Sequence, residues 1–286
     1  MDQYRTYRAA FDGKAVDDTG MIGLPAVIAT IRTAIEGQRA LSMVRLGDGE
    51  GGCLFWGTPG YAVLGDYVLA NCLWSHFGPR DWIAADFAFF QRDVARAALG
   101  ADIVTYARKA HVRQRILNDP NPEIRGHVGA TYADHWLSDH RADLRGRVYQ
   151  DGYLHAKLLP HYPALLSGAD IVVVGSLGAA FAERLARAFG ARLAGVLEIP
   201  GQWGNGARGE VRLYPHVLPD LRVRLLQAAC PGRVVLVAAG LSSKGLCVDA
   251  AAAGAVALDV GSVMDVWAGR GVRRYQASEM VAKYAI

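Results

Sequence analysis

Apolar positions return every three or four residues in two stretches of the first half of the chain. These stretches, 25–40 and 81–99, predict amphipathic helices, and Pro25 suits the first turn of the earlier one. Two shorter apolar runs, 42–46 and 103–106, are typical of strands. The first half therefore alternates helices with strands, and a glycine-rich acidic turn is expected after the strand at 42–46.

The second half repeats the order strand, turn, helix, strand. The valine-rich run 169–174 predicts a strand buried on both faces, and an alanine-rich helix and a strand near 194–199 follow it. The same order returns with a strand at 233–238, a helix, and a strand near 255–260. Such units build right-handed parallel sheets, so we predict an α/β fold with a Rossmann-like parallel sheet and helices on both faces.

Polar residues dominate positions 1–20, and we expect a flexible N-terminal segment there, followed by a single α/β domain over 21–286. Within that domain, Asn118–Pro122 holds two prolines and predicts a loop, because each proline removes a backbone donor and restricts the residue before it. No repeat or long block of like charge divides the rest of the chain.

Composition narrows the class of protein. The chain carries 31 Lys and Arg against 27 Asp and Glu, and its arginines are scattered, which does not favour a nucleic-acid-binding protein. No apolar run reaches the roughly 18–20 residues that a membrane-spanning helix needs, and the polar start lacks the apolar core of a signal peptide. We therefore expect a cytoplasmic protein, and peripheral contact with the inner membrane surface through Arg270, Arg273 and Arg274 stays open.

The four cysteines show no spacing typical of a zinc site, since none forms a C-x-x-C pair. Without a secretion signal, a disulfide framework is not expected either. We expect all four to pack as small apolar residues. They are Cys53, Cys72, Cys230 and Cys247.

The sharpest chemical signal is an acidic pair among glycines, Asp48 and Glu50, at the end of the first predicted strand. In an extended turn, two carboxylates at this spacing can face one hard cation, and Mg²⁺ or Mn²⁺ prefers such oxygen ligands. Gly47 and Gly49 would let a ligand approach the backbone, and Arg45 could bind a phosphate through its guanidinium. A solvated acidic turn whose Asp caps the next segment is the alternative.

A second signal lies between the strand at 233–238 and its helix, where Gly240 is followed by Ser242, Ser243 and Lys244. A helix N-terminus presents free N–H groups to a phosphate, and hydroxyl and ammonium groups would strengthen that binding. The spacing differs from that of a Walker A loop. Ordinary capping by a serine, with Lys244 in solvent, is the alternative interpretation.

Two further features carry weaker signals. Gly175–Gly178 occupies the equivalent turn of the earlier unit, but it lacks the G-x-G-x-x-G order, and Glu198 is not expected to end the following strand as a dinucleotide site requires. Asp259, at the end of the last predicted strand, and Asp265 are placed where an active-site acid or base would lie. Helix capping is the alternative for both aspartates.

Arg45–Glu50 resembles the R-[FYL]-G-D-G-E signature of the GT-D glycosyltransferases. A later segment is similar to that family's second landmark, in which a strand, a glycine-led turn and a helix precede a strand ending in A-L-D-[IV]-G, here Ala257–Gly261. The family's turn is typically G-P-T-A-like, where this chain has Gly240–Ser243. A His-Ile-Asp run often follows the second landmark, where this chain has Ser262–Asp265.

The resemblance implies a metal-dependent glycosyltransferase that transfers a sugar from a nucleotide diphosphate donor, with a uridine donor favoured, to a glycan or glycolipid hydroxyl. It implies that Asp48 and Glu50 bind Mn²⁺ or Mg²⁺. If the reaction inverts the configuration of the sugar, an acidic residue deprotonates the acceptor, and Asp259 and Asp265 are the candidates. An S-adenosylmethionine-dependent methyltransferase and a non-catalytic nucleotide-binding protein remain alternatives. Aromatic residues could stack on sugar rings, the candidates being Trp56, Tyr61, Trp74, Trp136 and Trp203.

Overall fold

The computed structural model describes residues 2–12, 14, 21–106, 123–149, 153–271 and 276–286 of the chain. In this part of the chain, seven strands form one parallel sheet with the spatial order β3-β2-β1-β7-β6-β4-β5. The strands are β1 (Leu41–Leu46), β2 (Ile103–Tyr106), β3 (Arg147–Tyr149), β4 (Asp170–Gly175), β5 (Arg192–Glu198), β6 (Arg233–Val237) and β7 (Val256–Asp259). The predicted loop at Asn118–Pro122 lies outside the described residues.

Helices connect the strands. They are α1 (Asp2–Phe11), α2 (Leu24–Glu36), α3 (Asp48–Phe55), α4 (Ala62–Phe77), α5 (Ala84–Gly100), α6 (Ile124–Asp139), α7 (Leu154–Lys157), α8 (Tyr162–Leu166), α9 (Gly178–Phe189), α10 (Leu218–Ala228), α11 (Ser243–Ala252), α12 (Val263–Trp267) and α13 (Ser278–Tyr284). Short irregular turns lie at Arg141–Asp143, Trp203–Asn205, Leu213–Val217 and Gly240–Ser242. Among the described helices, none combines the length and apolar character needed to cross a bilayer.

Side chains of the central strands alternate between two apolar layers. On β1, Leu41 and Met43 point to one layer, while Val44 and Leu46 point to the other. We call the side covered by α3–α6, α10 and α11 face A, and the side covered by α2, α7–α9 and α12 face B. The predicted α/β fold, a parallel sheet with helices on both faces, is therefore confirmed.

The chain leaves neighbouring strands in opposite directions. Helices α3 and α11, which follow β1 and β6, lie on face A, whereas α9 and α12, which follow β4 and β7, lie on face B. Along the order β1-β7-β6-β4 the chain thus departs alternately to the two faces. In open α/β sheets such divergence opens a crevice at the carboxyl ends of the strands, where ligands bind. This carboxyl edge is where the candidate site is expected.

Residues 2–11 of the N-terminal segment, where a flexible segment is expected, form a helix that packs on the domain. Helix α1 buries Tyr7, whose hydroxyl donates to the Val128 carbonyl at 3.0 Å and whose ring meets Phe55 edge-on. The hydroxyl of Tyr4 lies 3.1 Å from Nδ1 of buried His127. These two aromatic side chains dock the helix on the domain. Because their neighbours in the segment are polar, the average polarity of positions 1–20 does not reveal them.

Helices α3 and α6 touch through glycines. A Cβ at Gly51 would overlap the carbonyl of Gly129, and a Cβ at Gly129 would overlap the carbonyl of Asp48. Glycine is a poor helix former, which is why a turn is expected after Gly47. The structure has a helix instead, because this close contact buries α3 and outweighs the low helix propensity of its glycines.

We expect Gly129→Ala to lower the free energy of unfolding by about 3 kcal/mol or more, because its methyl group would collide with backbone that has no room to move. Gly126→Ala is the matched control on the same helix, since a Cβ there would meet Asp48 Oδ2 at an ordinary 3.9 Å. That change should be neutral or stabilising by up to about 1 kcal/mol. Urea unfolding followed by circular dichroism measures both, and equal effects would contradict the described packing.

Candidate functional site

Two segments that are far apart in the chain meet at the carboxyl edge. Arg45 lies on β1 and Asp259 ends the adjacent strand β7, although 214 positions separate them. Glu50 lies in the first turn of α3, and Lys244 lies in the first turn of α11 after β6. Two cationic and two carboxylate side chains therefore converge from four elements of the fold, and we call them the charge cluster.

Lys244 is the centre of the charge cluster. Its Nζ lies 2.5 Å from Glu50 Oε1 and 3.1 Å from Asp259 Oδ2, and it donates to the Gly240 carbonyl at 3.2 Å. These three acceptors match the three N–H donors of an ammonium group. The side chain is only 3% exposed, and Asp259 is completely buried. Lys244 therefore holds two buried carboxylates and the turn after β6 together.

The pKa values of the cluster follow from this arrangement. Burial by itself raises the pKa of Glu50, but the Lys244 ammonium, Arg45 and the Gly47 N–H outweigh burial and hold that pKa below its ordinary value. Burial likewise lowers the pKa of Lys244, yet Asp259 and Glu50 more than compensate and raise it. Glu50 and Lys244 are accordingly both ionised at neutral pH, as buried charges must be when they are paired.

Arg45 joins the cluster from the other side of Asp259. Its Nη2 donates to Asp259 Oδ1 at 3.4 Å, its Nε lies 3.4 Å from Oδ2, and its Nη1 lies 3.3 Å from the buried ring of His155. A Cβ at Gly261 would overlap the guanidinium, so the Arg45 side chain packs directly against the turn after β7. Arg45 keeps 19% of its side chain exposed, which makes it the cluster's cation nearest to solvent.

Asp48 and Glu50 do not face one cation. They lie two positions apart in the first turn of α3, where successive helical residues project about 100° apart, and so they point to nearly opposite sides. Glu50 uses one oxygen for Lys244 and the other for the Gly47 N–H at 2.7 Å. Asp48 is half exposed and lies 3.8 Å from Arg125 Nη2. The predicted extended turn, with both carboxylates on one metal ion, does not fit this helix.

The two serines also point inward. Ser243 Oγ accepts the Ala239 N–H at 2.8 Å, and both Ser242 and Ser243 are completely buried. Gly240 has a φ of +57°, a left-handed conformation that favours glycine, and it turns the chain from β6 into α11. Within the described residues, the serine and lysine side chains thus lie on the buried side of this turn. The expected phosphate contacts of their side chains stay a prediction.

Two sequence-predicted groups lie apart from the charge cluster. Asp265 sits in the first turn of α12, on face B. Gly175–Gly178 leads into α9, and β5 does end at Glu198, contrary to expectation. A Cβ on Gly178 would lie 3.8 Å from the Glu198 carboxylate. This strand–turn–helix–strand unit therefore carries the acidic strand end that sequence reasoning did not assign to it.

Sequence reasoning missed His76 and Gln202. His76, near the end of α4, and Gln202, from the segment after β5, both lie against Gly240. Neither belongs to a recognisable motif, and no local pattern marks either one. Only the packing of α4 and of the chain after β5 against the turn after β6 brings them to the carboxyl edge.

A search of protein-family models gives no match for this chain, and a search of curated proteins gives none. Two solved structures match along 91% of this chain and 82% of theirs, each at 15% identity and a TM-score of 0.48. One is the selenomethionine-substituted structure of domain of unknown function 1792, and the other describes that highly conserved domain as having a distinct glycosyltransferase fold.

We expect Lys244→Met to lower the free energy of unfolding by about 3–5 kcal/mol at pH 7, because Glu50 and Asp259 would remain buried without their cation. In the native protein burial is the largest influence on the pKa of Glu50, and Lys244 is the largest influence that opposes it. We therefore expect the pKa of Glu50 to rise when Lys244 is removed. The deficit of the variant should therefore shrink as the pH falls through the carboxyl range, where Glu50 takes up a proton. Chemical unfolding between pH 4 and pH 8 measures this dependence.

Lys283→Met is the control, since Lys283 is exposed on α13 and its loss should change stability by no more than about 0.5 kcal/mol. In the native protein the pKa of Glu50 is lowered, so its ionised form stabilises the fold. This contribution to the free energy of unfolding is present above the ordinary pKa of 4.5 and is lost as the pH falls below it. A deficit of Lys244→Met that stays constant with pH would contradict the described cluster.

Proposed function

We propose that this protein is a glycosyltransferase that binds a nucleotide diphosphate-sugar, with a UDP-sugar as the first candidate, at the carboxyl edge of its sheet. One observation carries the proposal. The two segments that resemble the GT-D landmarks, Arg45–Glu50 and Ala257–Gly261, lie on adjacent strands and join through Arg45 and Asp259. A resemblance by chance would not require these two segments to share an ion pair.

The backbone around the charge cluster suits a diphosphate. Helices α3 and α11 both begin at the carboxyl edge, at Asp48 and Ser243, and their first N–H groups carry the positive end of the helix dipole. Arg45 adds a partly exposed guanidinium beside Asp259 at the same edge. We infer that the diphosphate lies across these two helix starts, and that the charge cluster below holds them in place.

Metal dependence is a separate proposal, and the structure limits how it could work. Glu50 has both carboxylate oxygens engaged, so it does not fit as a direct ligand of Mn²⁺ or Mg²⁺. Among the described residues, no group of three or more potential ligands lies together. Asp48, half exposed at the start of α3, is the carboxylate of the pair that stays available to a cation.

The catalytic base is not Asp259 in this arrangement, because a completely buried carboxylate held by Lys244 and Arg45 does not reach an acceptor hydroxyl. Asp265 remains the proposed base.

For the acceptor we propose a glycan or glycolipid. Half-exposed Trp74 and its neighbour Trp82 line a shallow depression of about 360 Å³ that could receive a sugar ring.

The other expected aromatic contacts are weaker. Trp136 is buried on face A, and Trp203 packs against Gly78 and under Arg208.

A cytoplasmic location with peripheral membrane contact is likewise part of the proposal. Of the three arginines expected at the membrane, Arg273 and Arg274 lie outside the described residues.

A methyltransferase is the second candidate, and Glu198 favours it. In nucleotide-binding sheets, an acidic residue at the end of the second strand of a β–α–β unit binds ribose hydroxyls. Glu198 ends β5 beside the start of α9, which is the corresponding place. S-adenosylmethionine would bind at the β4–α9–β5 unit and leave the charge cluster without a role, so we rank this function second.

Calorimetric titration of UDP into the protein, once with EDTA and once with Mn²⁺, tests the first candidate. We expect UDP to bind in at least one of the two conditions, and tighter binding with Mn²⁺ would implicate Asp48. In that case Asp48→Asn should weaken the Mn²⁺-dependent titration about tenfold and leave the EDTA titration unchanged.

Asp220→Asn is the matched control, because Asp220 is a 70% exposed aspartate that pairs with Arg224 on α10. S-adenosylmethionine is titrated in parallel. Binding of S-adenosylmethionine together with no binding of UDP in either condition would replace the glycosyltransferase with the methyltransferase.

A further inference from the structure

His76 lies between the two helix starts of the proposed diphosphate site. A Cβ built on Gly49, in the first turn of α3, would lie 3.7 Å from His76 Cε1. A Cβ built on Gly240, just before α11, would lie 2.7 Å from His76 Cδ2. These two ring carbons flank Nε2, so Nε2 faces the gap between Gly49 and Gly240.

The other ring nitrogen is held by the protein. His76 Nδ1 lies 2.9 Å from the carbonyl of Cys72, one turn earlier on α4, and 3.8 Å from the Cys72 thiol. Nδ1 must carry the proton of the bond to the carbonyl, because a carbonyl only accepts. The imidazole is thereby oriented, as in sites where a backbone carbonyl selects the working nitrogen of a histidine.

Nε2 is open to a ligand. Within the part of the chain that the structure describes, Nε2 has no hydrogen-bond partner, and the atom is not buried. The residue is partly exposed. An oriented nitrogen with solvent access at the meeting point of two glycine turns is an arrangement that a ligand group can complete.

The charge state suits an anion. Burial by itself lowers the pKa of His76, but the hydrogen bonds with Cys72 and the nearby Glu50 carboxylate outweigh burial and raise it. Cys53 and His76 beside it lower the pKa of the Cys72 thiol to about 6, and a thiolate there would support an imidazolium. In that form both ring nitrogens are donors.

We propose that His76 is a diphosphate-binding residue, whose Nε2–H donates to the diphosphate of the nucleotide donor between Gly49 and Gly240. This inference rests on the proposed function and adds a side chain to a site otherwise formed by helix starts and Arg45. When the donor bond breaks, negative charge grows on the diphosphate, and a fixed cationic donor beside it stabilises that charge. Cys72 acts through His76 as its positioning residue.

Two substitutions separate binding from structure. An Asn side chain reproduces the position of Nδ1 but not of Nε2, so His76→Asn can keep the bond to the Cys72 carbonyl and lose the contact with the diphosphate. Because hydrogen bonds to charged groups are strong, we expect this variant to bind UDP about 10- to 100-fold more weakly. Uridine, which has no phosphate and whose weaker binding is followed by ligand-observed NMR, should bind both proteins equally.

His76→Gln, whose amide reaches the position of Nε2 as a neutral donor, should recover part of the lost affinity. His140→Asn is the control, since His140 makes the same bond one turn back, Nδ1 to the Trp136 carbonyl at 2.8 Å, at the far end of α6. His140→Asn should leave the affinity for UDP unchanged.

Each result has one meaning. Loss of UDP affinity with unchanged uridine affinity and an unchanged thermal melt supports the proposal. Native affinity of His76→Asn for UDP overturns it while the glycosyltransferase stands. An equal loss for UDP and uridine, or a lowered melting temperature with no selective loss, shows a structural role and also overturns it. If the native protein does not bind UDP, the proposed function fails first, and the inference falls with it.

Discussion

The burial of one lysine ammonium between two carboxylates constrains the whole carboxyl edge. Lys244 reaches Glu50, Asp259 and the Gly240 carbonyl from a side chain that is almost fully buried. Burying three charges is costly unless each is paired, so the elements that carry them cannot separate without leaving a charge alone. The starts of α3 and α11 and the end of β7 are therefore held as one unit.

The surroundings of this unit are built from glycines rather than from large side chains. Gly51 and Gly129 let α3 and α6 approach until backbone meets backbone, while Gly49 leaves room for the Cys72 thiol and Gly240 leaves room for Gln202 and His76. A Cβ at Gly129 would push the first turn of α3 away from α6. Since Glu50 lies in that turn, the glycine contact and the charge cluster depend on each other.

This chain has the residue types of the glycosyltransferase signature that it resembles, but the acidic pair does not have the arrangement that the resemblance implies. The acidic pair predicts a shared metal ion only while its segment is imagined as extended. As the first turn of a helix, it places Glu50 inside, on Lys244, and Asp48 outside, near Arg125. Two charged residues that lie two positions apart on a helix point to different sides. One of them can therefore be structural while the other stays available to a ligand.

The sequence alone predicted six of the seven described strands, because buried parallel strands are continuous apolar runs such as the one ending at Val174, and the turns that follow them mark the carboxyl edge. It did not predict β3, a three-residue strand at the edge of the sheet. The sequence also singled out Arg45 and Asp259, which the structure brings together in one ion pair. Tertiary structure alone decided that Glu50 faces Lys244, that α1 docks, and that His76 reaches the carboxyl edge beside Gly240. These outcomes depend on close packing and charge pairing between segments far apart in the chain, which no local pattern encodes.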